Sequence, residues 1–218
     1  MKFPDNSQRI SVIGKTGSGK THAGLWHLSI RDFKIPWLII NTKDESLFYD
    51  IPHVEYIDYG DKLSKDSKGL YILSSYPGEE EILNEYFLKL WHRGNIGILI
   101  DEALDLGKLQ GYQRIIRQGR SKFIPIIQLM QRPAGVNRLV ISESEFFQIF
   151  YIKDKRDKET IENFIPAYDK DLNELGMTKE SYYYDVSADE VVLLEPLPNL
   201  DFIYDRLNEK LRHKYKFI

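Results

Sequence analysis

The segment Gly14-Lys15-Thr16-Gly17-Ser18-Gly19-Lys20-Thr21 carries the clearest chemistry in the chain. Its glycines let the backbone wrap tightly, so that successive N–H groups turn inward and cradle phosphate oxygens. A helix beginning at Lys20 adds its positive N-terminal end. In the pattern G-x-x-x-x-G-K-[ST], Lys20 reaches the β- and γ-phosphates of a nucleotide and Thr21 ligates Mg2+. The context agrees: apolar Ile10-Ser11-Val12-Ile13 reads as a buried strand before the loop, and residues 20–31 read as a helix after it.

A second acidic pair lies downstream. Ile98-Leu99-Ile100-Asp101-Glu102 places two carboxylates at the C-terminal end of a buried strand, where ligands gather in open α/β sheets. Asp101 is placed to hold Mg2+, directly or through water. Glu102, one residue on, is placed to polarise an attacking water as general base. An acid there favours hydrolysis over transfer of a phosphoryl group to a metabolite.

These groups need a rigid frame, and the chain has the pattern for one. Short apolar runs at 37–40, 70–73, 96–100, 123–129 and 146–152 alternate with helix-like stretches at 79–91, 109–121 and 157–164. Pro77 and the acids Glu79, Glu80 and Glu81 suit a first helical turn. Such runs argue for a mainly parallel sheet covered on both faces. Residues 182–186 and 191–194 flank a turn and read as a late hairpin, and residues 200–215 read as a terminal helix with a basic end at Lys210, Arg212, Lys214 and Lys216.

Composition narrows the classes. The 218 residues are 42% hydrophobic and 29% charged, which excludes disorder over most of the length. The absence of cysteine excludes a disulfide scaffold, a Cys-ligated zinc site and a thiol nucleophile. The start MKFPDNSQR has no apolar core of a signal peptide, and no apolar run is long enough to span a membrane. Net charge is −3, yet residues 108–158 hold eleven basic residues against four acids, an asymmetry suited to a polyanion. The five histidines lack ligand spacing, and Tyr182-Tyr183-Tyr184 reads as strand packing ahead of base stacking.

Phe123 to Gln131-Arg132-Pro133 is the discriminating stretch: a buried strand ending in Gln-Arg-Pro. With the two motifs above, it resembles the FtsK/HerA superfamily of ring-forming DNA translocases over about residues 9–158. The resemblance implies an α/β P-loop NTPase fold, RecA/FtsK-like, with a mainly parallel sheet sandwiched by helices and a small C-terminal hairpin and helix. It implies one ATPase domain over 1–218, with a core at about 9–158 and an appendage at about 159–218. By position Gln131 senses the γ-phosphate, a role a neutral amide can fill by bonding both phosphate oxygen and water. Arginines on the preceding helix commonly reach a neighbouring subunit's nucleotide in that superfamily, and Arg120 and then Arg114 match best. Asn41-Thr42-Lys43 resembles the family's Asp-x-Lys, with asparagine in place of the acid.

The short layout, with Val136 to Glu143 after Gln-Arg-Pro, is similar to the genome-packaging ATPases of tailless icosahedral viruses with an internal membrane. That implies ATP and Mg2+, double-stranded DNA, a homo-oligomeric ring, portal or vertex proteins as partners, and a place in the host cytoplasm and at the packaging vertex of the virion. Two other readings stay open. One is a cellular or plasmid FtsK/HerA translocase module. The other is a P-loop nucleoside or small-molecule kinase, against which Asp101-Glu102 and Gln131-Arg132-Pro133 both argue.

Overall fold

The computed structural model describes residues 2–63, 68–104, 106–165 and 178–212. The strands are β1 (Ile10–Ile13), β2 (Trp37–Asn41), β3 (Glu55–Tyr56), β4 (Leu70–Ser74), β5 (Gly97–Ile100), β6 (Ile126–Met130), β7 (Phe146–Ile149), β8 (Ser181–Asp185) and β9 (Glu190–Leu194). The helices are α1 (Lys20–Ser29), α2 (Glu80–Arg93), α3 (Gln110–Gln118), α4 (Arg138–Ser142), α5 (Lys155–Glu162) and α6 (Leu200–Leu211). All the strands join one sheet in the order β3-β4-β2-β5-β6-β1-β7-β8-β9.

Pairing is parallel from β3 across to β7 and antiparallel at β7–β8 and β8–β9. The hairpin expected near the C-terminus therefore continues the main sheet: Tyr184 pairs with Phe147, and Tyr182 with Ile149. Tyr183 and Tyr184 are buried, Tyr183 beside Phe146 and Tyr184 beside Phe147.

Two apolar layers flank the sheet. Ile13, Ile40, Ile98, Ile100 and Met130 pack with Phe87 and Leu90 of α2 and Ile115 of α3. The alternate residues Val12, Ile39, Leu99 and Leu129 pack with Leu25 and Leu28 of α1 and Ile203 and Leu207 of α6. Burial on both faces is why these strands read as unbroken apolar runs.

Several expected boundaries move for local reasons. Pro77 lies ahead of α2, in a turn with Gly78 at φ +95°, and Glu79 caps the helix. Phe123 is not a strand residue: it is exposed at φ +54°, and β6 begins only after Pro125, which has no N–H to give a ladder. The helix expected at 109–121 ends at Gln118, and Gly119–Lys122 form a 3-10 turn. The expected basic end of the terminal helix at Lys214 and Lys216 lies outside the described residues. No helix among the described residues is long and apolar enough to cross a membrane.

Candidate nucleotide site

Parallel register brings the ends of β1, β2, β5 and β6 to one edge. Ile13 aligns with Met130, and Ile40 with Ile100, so Gly14, Thr42, Asp101 and Gln131 follow on the same side. The chain leaves β1 and returns at β2 beyond β6 and β5. This leaves the loop after β1 free of an adjacent crossover.

The loop needs its glycines. A Cβ on Gly14 would stand 2.6 Å from Ser18 Oγ and 2.8 Å from Phe150 Cβ. Gly17 and Gly19 take φ +78° and +112°, and Gly19 then caps α1. The Gly14 N–H bonds Met130 O, the Lys15 N–H bonds Tyr151 O, and the Ser18 N–H closes on Lys15 O. Lys20 is buried and its Nζ donates to Lys15 O at 3.0 Å. Burial lowers its ammonium pKa to about 8, against the pull of the Glu102 carboxylate.

A cavity of about 340 Å³ is lined by Thr16, Gly17, Gly19, Lys20, Thr21, Lys43, Glu45, Asp101, Gln131 and Lys179, among others. Thr16 Oγ1 donates to Gln131 Oε1 at 3.1 Å, so the glutamine touches the loop directly. Thr21 Oγ1 donates to Glu45 Oε2 at 3.3 Å. Asn41 is buried and its Oδ1 accepts from the Glu45 N–H at 2.9 Å. A neutral amide at 41 thus shapes the turn after β2 and positions an acid four residues on.

The two acids after β5 are both held by the end of β2. Asp101 accepts from the Thr42 N–H and Oγ1 and from the Lys43 N–H, at 2.7–3.1 Å. Burial pushes its carboxyl pKa up, while those hydrogen bonds act in the opposite sense. Glu102 Oε2 accepts from Lys43 Nζ at 2.5 Å, with its side chain 8% exposed and that of Lys43 39%. A neighbouring cavity of about 460 Å³ reaches Glu102 from the far side, past Tyr76 and Lys108. Another, of about 470 Å³, lies beside Lys15, Thr16 and Gln131 and carries Arg132, Lys153 and Lys155.

Thus Lys20, Thr21, Asp101 and Gln131 line one cavity, Glu102 lines the next and reaches the first through its pair with Lys43, and the two arginines join neither. Arg114 lies over the Trp91 ring at 4.0 Å, which Lys122 shares at 5.0 Å. Arg120 follows α3 at the opposite, N-terminal edge of the sheet, exposed, with NH2 3.4 Å from Glu145 Oε1. Glu45 and Lys179 went unseen in the sequence, as did the pairing of Lys43 with Glu102. Each acts across a fold contact that no local motif encodes.

A glycine-rich loop after β1, two acids after β5 and a glutamine after β6, on a parallel sheet in this order, define a P-loop ATPase. Among solved structures, the genome packaging NTPase B204 of Sulfolobus turreted icosahedral virus 2, in complex with AMPPCP, superposes with a TM-score of 0.68 at 18% identity, over 88% of this chain and 100% of that one. The pCW3 conjugation coupling protein TcpA gives 0.61 at 17% identity, over 96% of this chain and 66% of that one. No protein-family model matches the chain. The DNA packaging ATPase P9 of Enterobacteria phage PRD1 is 37% identical over 220 residues, 95% of each chain. The chain belongs to the family of that packaging ATPase.

Proposed function

We propose that this protein hydrolyses ATP at the edge formed by Gly14–Thr21, Asp101, Glu102 and Gln131, and uses the energy to move double-stranded DNA into a virion. One observation carries the reading. The loop, Asp101 and the glutamine meet around a single cavity, and Glu102 borders it through its ion pair with Lys43, in a chain 37% identical, over 95% of its length, to a DNA packaging ATPase. Gly14, Lys15 and Ser18 spend their N–H groups on Met130 O, Tyr151 O and Lys15 O and so shape the loop; the N–H groups of Thr16, Gly17 and Gly19 cradle the phosphates, and Lys20 neutralises them. Glu102 takes the proton of the attacking water, after Lys43 yields it. Gln131, already bonded to Thr16, reports the γ-phosphate.

The donors around Thr21 suit Mg2+: Thr21, Asp101 and Glu45 offer oxygen only, and this ion needs few protein ligands when phosphates and water supply the rest. Thr21 and Asp101 would hold it, with Glu45 behind Thr21, and the ion would neutralise charge on the phosphates. The strand β8 bonded to β7 supports treating the core and its C-terminal hairpin as one unit.

In this reading the chain works as a homo-oligomeric ring in the infected cell and at the packaging vertex, beside portal or vertex proteins. Arg120, and less readily Arg114, completes a neighbour's site. The deciding test is ATPase rate against protein concentration, with and without double-stranded DNA. Turnover per chain should rise with concentration and with DNA. The Glu102→Gln protein should bind ATP and lose turnover. Hydrolysis by Glu102→Gln at the wild-type rate would remove Glu102 as the base.

A further inference from the structure

A second ammonium reaches the glycine-rich loop from far along the chain. Lys179, just ahead of β8, donates from Nζ to Gly17 O at 2.9 Å. Lys20 rests in the same manner on Lys15 O at 3.0 Å. Both side chains line the same cavity, with Thr21 and Asp101. Lys179 also approaches Gly19: its Cδ stands 3.7 Å from where a Cβ on that glycine would lie.

None of the ion pairs among the described residues involves Lys179. The acids of the site have other partners: Glu102 holds Lys43, and Asp101 is bonded by Thr42 and Lys43. A neutral carbonyl is a weaker acceptor for an ammonium than a phosphate oxygen.

We propose that Lys179 is a phosphate-contacting residue of this site: on binding a nucleoside triphosphate, its ammonium exchanges Gly17 O for an oxygen of the phosphate tail. Lys179 stands two residues ahead of β8, so this exchange ties the β8–β9 hairpin to nucleotide occupancy. This rests on the nucleotide reading of the cavity.

The test is equilibrium binding of ATP, and separately of inorganic triphosphate, to the full chain carrying Lys179→Gln, Lys179→Ala or Lys179→Arg. Glutamine loses the charge but keeps an N–H donor on a stem one bond shorter, so paired with Lys179→Arg, which keeps the charge, it separates phosphate contact from a structural tether. Lys179→Gln and Lys179→Ala should weaken both ligands about ten-fold, the usual loss for one charge-assisted hydrogen bond. Lys179→Arg should restore most of that loss. Lys179→Gln binding both ligands like wild type would overturn the proposal, whatever Lys179→Ala does. If instead Lys20→Ala and wild type bind ATP equally, the nucleotide reading of the cavity fails, and the role of Lys179 falls with it.

Discussion

Lys43→Met is the substitution with the most calculable consequence. It keeps the methylene stem of Lys43 and removes the ammonium that sits 2.5 Å from Glu102 Oε2. The carboxylate left behind is 8% exposed, and its other hydrogen bond is a 3.3 Å contact from the Leu104 N–H. Breaking a fully buried pair costs about 3–5 kcal/mol, and a fully exposed pair contributes about 0–1 kcal/mol. Here the acid is buried and the lysine is 39% exposed, so the loss should fall between, at about 1–3 kcal/mol. For a chain of this length that lowers Tm by roughly 3–9 °C. Glu102→Gln in the Lys43→Met background should recover most of the loss, since an amide tolerates burial without a cation.

The measurement is a double-mutant cycle by urea unfolding, with wild type, Lys43→Met, Glu102→Gln and the double variant compared at equal slope. The coupling energy should reach about 1–3 kcal/mol. Additive effects within about 0.5 kcal/mol would refute the pairing as an energetic feature, and with it the view that Lys43 masks the base before turnover.

Four further outcomes are expected. Because burial holds Lys20 near a pKa of about 8, ATP affinity should be flat below pH 7.5 and weaken above 8 by up to about ten-fold per pH unit, as binding must then take up a proton; a profile flat to pH 9.5 in isothermal titration would count against this. Stability of the free protein should run the other way, rising between about 8 and 10.5, where the unfolded chain binds more protons than the folded one. Affinity for double-stranded DNA should fall steeply with salt and show little sequence preference, with each lost backbone contact among residues 108–158 lowering the log–log slope by about one; a salt-independent Kd would contradict it. Mixing Arg120→Ala chains with Lys20→Ala chains should partly restore ATPase activity, and no recovery in verified mixed rings would remove a trans role for Arg120.

The parts legible in the sequence are those whose determinants are local or periodic. Gly14–Thr21 is contiguous, Asp101-Glu102 ends an apolar run, and Gln131 ends another. Strands buried on both faces announce themselves by composition. What escaped was short or remote. β3 has two residues and α4 five, too few for a period to emerge. Glu45 acts on Thr21 across 24 residues, Lys43 on Glu102 across 59, and Lys179 on Gly17 across 162. Nothing in the sequence around Arg114 foretells the Trp91 ring on α2 beneath it. The basic stretch 108–158 also divides in space: Arg132, Lys153 and Lys155 stand beside the loop, while Arg120 and Lys122 precede β6 at the other edge.

That division bears on how a ring would be built. Subunits in a closed ring of more than two meet through unlike faces, so whatever completes a site comes from the side opposite to it. The phosphate loop lies at the C-terminal edge of the sheet, and the turn carrying Arg120 at the N-terminal edge. The two candidate arginines differ in what they would give up to serve a neighbour. Arg114 lies on the Trp91 face at 4.0 Å, a contact of about 0.5–2 kcal/mol, and leaving it would uncover the indole. Arg120 has a side chain 74% exposed and a 3.4 Å ion pair with Glu145, an exposed arrangement whose loss costs no more than about 1 kcal/mol. Glu145 would not be stranded, because its Oε2 also accepts from the Arg9 N–H at 2.8 Å. An arginine held loosely by an acid that keeps its other partner can swing to a neighbour's γ-phosphate at little cost, which favours Arg120 over Arg114 on energetic grounds as well as on position.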